Sequence, residues 1–161
     1  MTDRPQKKDT DLWLWLDDMR LPPWGYDLWA KTADEAISLL EFHGGKVTHC
    51  SLDHDLADEH YAAHHDNSGG YMDPVIPIDR SEYKEKTGYE VLEWMHEHDA
   101  WVSDVSVHTM NPKGRLDMLR KLEHRAPAHV SFRSCNPMAP APTTREDDWK
   151  KTDRPGPDNN D

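Results

Sequence analysis

"LWLWLDDM", residues 12–19, decides the fold. Five apolar residues in succession, Leu12 to Leu16, with no polar alternation predict a strand buried on both faces, the signature of a parallel sheet. The run stops at Asp17-Asp18. "RLPP" follows at 20–23, and its two prolines forbid a regular helix there. A second apolar run ends the same way: "KVTHCSL", residues 46–52, gives out at Asp53-His54-Asp55. Ionisable groups crowded at a strand end repel or desolvate one another unless a metal ion or a phosphate makes use of them.

The other elements alternate around these two. A short strand is expected over Tyr26–Ala30. Thr32 and Glu35 have capping-box spacing and open a helix with Ala33, Ala36, Ile37 and Leu40 on one face, closed by Gly44-Gly45. Thr87 and Glu90 repeat that spacing before a helix with Val91, Leu92 and Met95 on one stripe, running to about His98. "VSDVSVH", 102–108, is a fourth strand. Asn111-Pro112 reads as an N-cap with proline at the first helical position, and Leu116, Leu119 and Leu122 are expected to face inward. "HVSFRS", 129–134, is the last strand. The pattern predicts an α/β fold with an open, mostly parallel five-stranded sheet and helices on its faces; with order 2-1-3-4-5, the strand order reverses between the first and third strands. Its domain spans 12–135, preceded by a loose arm (1–11) and followed by a proline-rich, charged tail (136–161) expected to be disordered. Residues 57–86 are polar and irregular, a long insertion or lid after the third strand.

Composition excludes some partners. A formal net charge of −12 disfavours duplex DNA and anionic membranes, which reward basic surfaces. No signal peptide or spanning helix is evident, and the only cysteines are Cys50 and Cys135, so a reducing cytoplasm is the expected location. Seven tryptophans enlarge a core drawn from only 35% hydrophobic residues. Trp13 and Trp15 are core candidates; Trp24 and Trp29 are candidates to stack a base.

In such a sheet, ligands bind beyond the carboxyl ends of the strands where strand order reverses, here between the first and third strands. Asp17, Asp18, Asp53 and Asp55 meet at that edge and are the expected ligands of a divalent cation, Mg²⁺ or Mn²⁺, since oxygen donors suit these ions better than zinc. His54 and His108 are the candidate acid and base, with Asp53 beside them. Arg20 and Arg133 are candidates to hold a phosphoryl group. Asn111 and Gly114, at one helix start, and Thr87-Gly88, at another, can present backbone amides to phosphate oxygens or serve only as caps. His60 and His64, four apart, form a rival zinc pair, but they lack the glutamate of a HExxH protease.

"LWLDDMRLPP", "TADEAI", "SLDHDL", "TGYEVLEWM" and "VHTMNPKGRLDML" together resemble the cyclic-phosphate-processing receiver-like domains, relatives of response-regulator receivers, over roughly residues 12–125. The resemblance implies a flavodoxin-like sheet and a role in processing cyclic phosphates on nucleotides or RNA ends. Asp17, Asp18 and Asp53 look like the receiver acidic pocket, with Asp53 at the phosphoacceptor position. Three features depart from a receiver: His108 stands where a serine or threonine switch is usual, Arg133 replaces the lysine of the fifth strand, and "RLPP" replaces the first helix. The expected activity is a metal-dependent phosphoesterase acting on a cyclic phosphate of a small nucleotide or RNA terminus. The alternative is a non-catalytic module that sequesters a cyclic nucleotide or accepts a phosphoryl group on Asp53.

Overall fold

A computed structural model describes residues 6–60, 80, 81 and 83–135. Five strands, β1 (Leu12–Leu16), β2 (Leu28–Ala30), β3 (Val47–Leu52), β4 (Asp104–Val107) and β5 (Ser131–Ser134), form one parallel sheet in the order β2-β1-β3-β4-β5. Among the helices lying wholly within the described residues are α1 (Ala33–His43), α2 (Gly88–Glu97) and α3 (Pro112–Arg125). This is the open parallel α/β architecture, in the order 2-1-3-4-5, that the alternation of strands and helices predicts. Of the expected insertion, residues 61–79 and 82 lie outside the described residues, as do 1–5 of the arm and the tail 136–161.

The caps form where the sequence puts them. Thr32 accepts from the Glu35 amide, Thr87 and Glu90 complete a capping box, and Asn111 accepts from the Gly114 amide with Pro112 in the first turn. One sheet face is aliphatic: Leu14, Leu16, Cys50, Leu52, Val105 and Val107 pack with Ala36, Leu40, Val91, Leu92, Met95, Met118 and Leu122. Each fully buried leucine there contributes about 1.5–3 kcal/mol. The other face carries Trp13, Trp15, Tyr26 and Trp29 as a separate aromatic cluster, with His49, Ser51, Asp104 and Ser106 buried alongside.

Two expectations need correction. The second strand starts at Leu28 rather than Tyr26, because the Asp27 carboxylate takes the Trp13 amide (3.0 Å) that a strand carbonyl would have accepted. On α3 the buried stripe is Gly114, Asp117, Met118 and Leu122; Leu119 is half-buried and packs against the aliphatic core as expected, while Leu116 is half-buried and not among the core residues. The helix is rotated so that Gly114 meets the His54 ring: a Cβ added there would lie 2.5 Å from His54 Cγ.

Candidate functional site

The sheet register assembles the site. Leu16, Leu52 and Val107 pair across β1, β3 and β4. The next residue of each strand is held by one further ladder bond: Asp17 N–H to Ala30 O (3.0 Å), Asp53 N–H to Leu16 O (2.9 Å) and His108 N–H to Leu52 O (3.0 Å). Side chains alternate along a strand, so all three leave on the face opposite Leu16, Leu52 and Val107. One carboxylate oxygen from each aspartate and one ring nitrogen of His108 lie within 4.8 Å of one another, and all three residues are buried. Such a cluster can hold a metal ion.

Each member is fixed by its neighbours. Asp17 Oδ1 accepts from the amides of Met19 (2.9 Å) and Arg20 (2.7 Å), an Asx turn that replaces the missing helix. Trp29 Nε1 donates to Asp17 O (2.9 Å), and Trp15 Nε1 donates to Arg20 O (2.9 Å). His108 lies flat on the Trp15 ring, centroids 3.8 Å apart and planes 8° from parallel. Its Nε2 is 3.1 Å from Asp17 Oδ2 and its Nδ1 is 2.7 Å from Ser51 Oγ. One nitrogen of Arg20, Nη1, reaches both acids, at 2.9 Å from Asp17 and 3.4 Å from Asp53.

Protonation follows from this wiring. Burial pushes Asp17 up, but the His108 hydrogen bond and the Arg20 and Met19 amides more than offset it, leaving Asp17 below the usual carboxylate range. Asp53 goes the other way: burial first, then the Asp17 charge, push it up to about 8, against the Thr109 hydroxyl and Arg20. Burial also holds His108 below the ordinary imidazole range, although Asp17 favours its charged form. Near neutrality the cluster therefore holds one carboxylate, one carboxylic acid and one neutral imidazole.

The remaining sequence candidates lie around this centre in different roles. Asp18 is half-buried and outside the three-residue set. His54 faces the helices: its Nδ1 meets Asp55 Oδ1 at 2.6 Å, and its Nε2 receives the Arg80 guanidinium at 2.9 Å. An arginine only donates, so His54 is the neutral tautomer with its hydrogen on Nδ1, and burial keeps it below the usual range. Asp55 also accepts from the Asn111 amide nitrogen (3.2 Å). Thr87, Gly88 and Gly114 clamp this loop. Gly88 N–H bonds His54 O (3.1 Å), and a Cβ on Gly88 would lie 1.9 Å from Asp53 O, so glycine is required there. Arg133 forks onto Asp104, at 2.7 and 2.8 Å. Trp29 is buried and Trp24 is 67% exposed. His60 is buried, accepting from the Leu56 amide (2.9 Å) and meeting Glu85 O (2.9 Å); His64 lies outside the described residues.

Thr109, Ser51, Trp15, Arg80 and Asp117 belong to these networks and carry no local motif. Strand alternation would have found Ser51 and Trp15, two residues before Asp53 and Asp17. Among the described residues, no helix is long and apolar enough to cross a membrane.

A family model described as a cyclic-phosphate processing receiver domain matches residues 12–124. No curated protein and no solved structure gives a match.

Proposed function

Because this chain belongs to the cyclic-phosphate processing receiver family, we propose that it is a metal-dependent phosphoesterase that opens the cyclic phosphate of a nucleotide or RNA end. The observation that carries this reading is the buried trio Asp17, Asp53 and His108, with donor atoms within 4.8 Å of one another. Two carboxylates and an imidazole form a mixed oxygen–nitrogen set that suits Mn²⁺ better than Mg²⁺, which prefers oxygen alone. When bound, such an ion neutralises phosphoryl charge and makes water more acidic.

The chain's own groups have defined tasks. Asp53 gives up its proton on loading, so affinity rises with pH until about 8. His108 offers Nε2 while its Nδ1–H turns to Ser51 Oγ, since a hydroxyl serves either imidazole tautomer. Arg20, on the exposed side of the cluster, leaves the two carboxylates and takes phosphoryl oxygens. Water adds to phosphorus, one P–O ester bond breaks, and the departing ribose oxygen takes up a proton, leaving a phosphomonoester.

The test is turnover of 2′,3′-cyclic nucleotides with Mn²⁺. Loss of at least about a hundredfold in Asp53→Ala and His108→Ala is expected, as for removal of a transition-state stabilising group; unchanged rates would reject the reading.

One observation favours a second reading. Arg20 already bridges Asp17 and Asp53 as an internal cation, which suits a module that binds without turnover or accepts a phosphoryl group on Asp53. Acetyl phosphate labelling of Asp53, together with intact cyclic nucleotide after long incubation, would select it.

A further inference from the structure

A cavity of about 300 Å³ lies beside α3, lined by Arg80, Tyr89, Asp117, Arg120, Lys121 and Arg125 among others. None of the acid cluster lines it. Its charge is opposite to that of the whole molecule, which has 31 acidic and 19 basic side chains. In a chain with acid to spare, surface cations usually find a carboxylate. Here Arg120, Lys121 and Arg125 have none among the described residues, and the one acid in the lining, Asp117, is taken by Arg80 at 3.0 Å. Tyr89 supports the basic wall from within, with the Arg80 guanidinium 4.0 Å and the Lys121 ammonium 5.6 Å from its ring centre.

We infer that this cavity binds the phosphates of a short single-stranded RNA. Three cations within two turns of one helix, without a carboxylate partner among the described residues, exceed what a single phosphate needs and match a run of them. The net charge of −12 keeps the contact short by repelling any strand that extends beyond it. The cavity is also wired to the acid cluster. Arg80 spans from Asp117 to His54 Nε2, and His54 directly follows Asp53 in the chain. A strand seated on α3 therefore approaches the end of β3. Resting on the cyclic-phosphate reading, this makes the substrate the end of an RNA strand rather than a free cyclic mononucleotide.

Binding of a fluorescein-labelled hexaribonucleotide to the full chain, followed by anisotropy in EDTA, tests the cavity without calling on the metal or on turnover. Saturable binding that weakens with salt is expected. The Arg120→Glu/Arg125→Glu double variant should bind at least about tenfold more weakly and lower the salt slope by about 1.4, two single-strand phosphate contacts. Lys8→Glu/Lys46→Glu, which makes the same change in net charge on exposed residues elsewhere, should bind as the unaltered protein does. Absence of binding at low salt, equal loss in both double variants, or displacement of the hexamer by AMP at equal concentration would each overturn the proposal. Cyclic mononucleotide turnover surviving alongside any of these would show that the cavity inference alone has failed.

Discussion

Two buried acid–imidazole pairs share one face of the sheet, and they are finished differently. Asp104 with His49 sits in the row that starts β4; Asp17 with His108 sits four residues further along, roughly 13 Å away at strand rise. The first pair is closed. Arg133 forks onto both Asp104 oxygens, His49 Nδ1 lies 2.5 Å from one of them, and the Tyr26 hydroxyl is 2.8 Å from His49 Nε2. Burial pushes Asp104 up, yet these partners outweigh it and hold it below the carboxylate range. The second pair is left open. It must share its surroundings with Asp53, and among the described residues the cation set on it is one nitrogen of an arginine whose side chain is 30% exposed. Similar residues on the same surface thus make a structural lock in one place and, in the other, a centre whose donor atoms lie close enough together to hold a metal ion.

Breaking the lock should have the largest effect. Asp104→Ala strands an arginine whose side chain is only 10% exposed and should cost about 3 kcal/mol in urea denaturation. Asp53→Asn, made at the open centre, should leave stability in EDTA unchanged or higher at pH 9, because it removes a carboxylate whose ionised form burial and the Asp17 charge disfavour. A loss there comparable to that of Asp104→Ala would erase the contrast.

The two pairs should also respond to pH with opposite sign. Asp53 is raised from 3.8 to about 8 in the fold, so its contribution is present below about pH 4 and fades as pH rises through 8. Asp104 is lowered, so its contribution is present above about pH 4 and fades as acid protonates it. Stability curves of Asp53→Asn in EDTA should therefore depart from those of the parent as pH rises from about 4 to about 8, and curves of Asp104→Asn as pH falls below about 4; a shared direction would be inconsistent with this wiring.

Smaller effects sharpen the picture. Gly114→Ala pushes a methyl onto the His54 ring and should cost about 1–3 kcal/mol, without changing cation affinity, because His54 belongs to the helix side. Ser51→Ala removes the partner that orients His108 and should weaken Mn²⁺ binding by about tenfold, read by titration, with little change in urea midpoint.

Much of this was legible before the fold was seen. Uninterrupted apolar runs ending in aspartate marked β1 and β3, and the caps at Thr32, Thr87 and Asn111 marked the helix starts. The division of the site was also readable in principle. Asp17, Asp53 and His108 are each the first residue beyond a strand, and alternation sends the second, Asp18 or His54, to the other side. Placing His54 with Asp53 because the two are adjacent in the chain overlooks that alternation. Arg80, Asp117 and Thr109 were not legible, because their partners depend on how α3 rotates against the loop after β3, and Gly114 reveals that rotation only once the His54 ring is seen against it.

The central claim is that Asp17, Asp53 and His108 form a cation site while Asp104 and His49 do not. Titrating the protein with Mn²⁺ and following the free-ion signal by electron paramagnetic resonance addresses it directly. One ion should bind the parent chain and Asp104→Asn alike, and the signal should stay free with Asp53→Asn. Binding that survives Asp53→Asn, or a parent chain that leaves all Mn²⁺ in solution, would contradict the account.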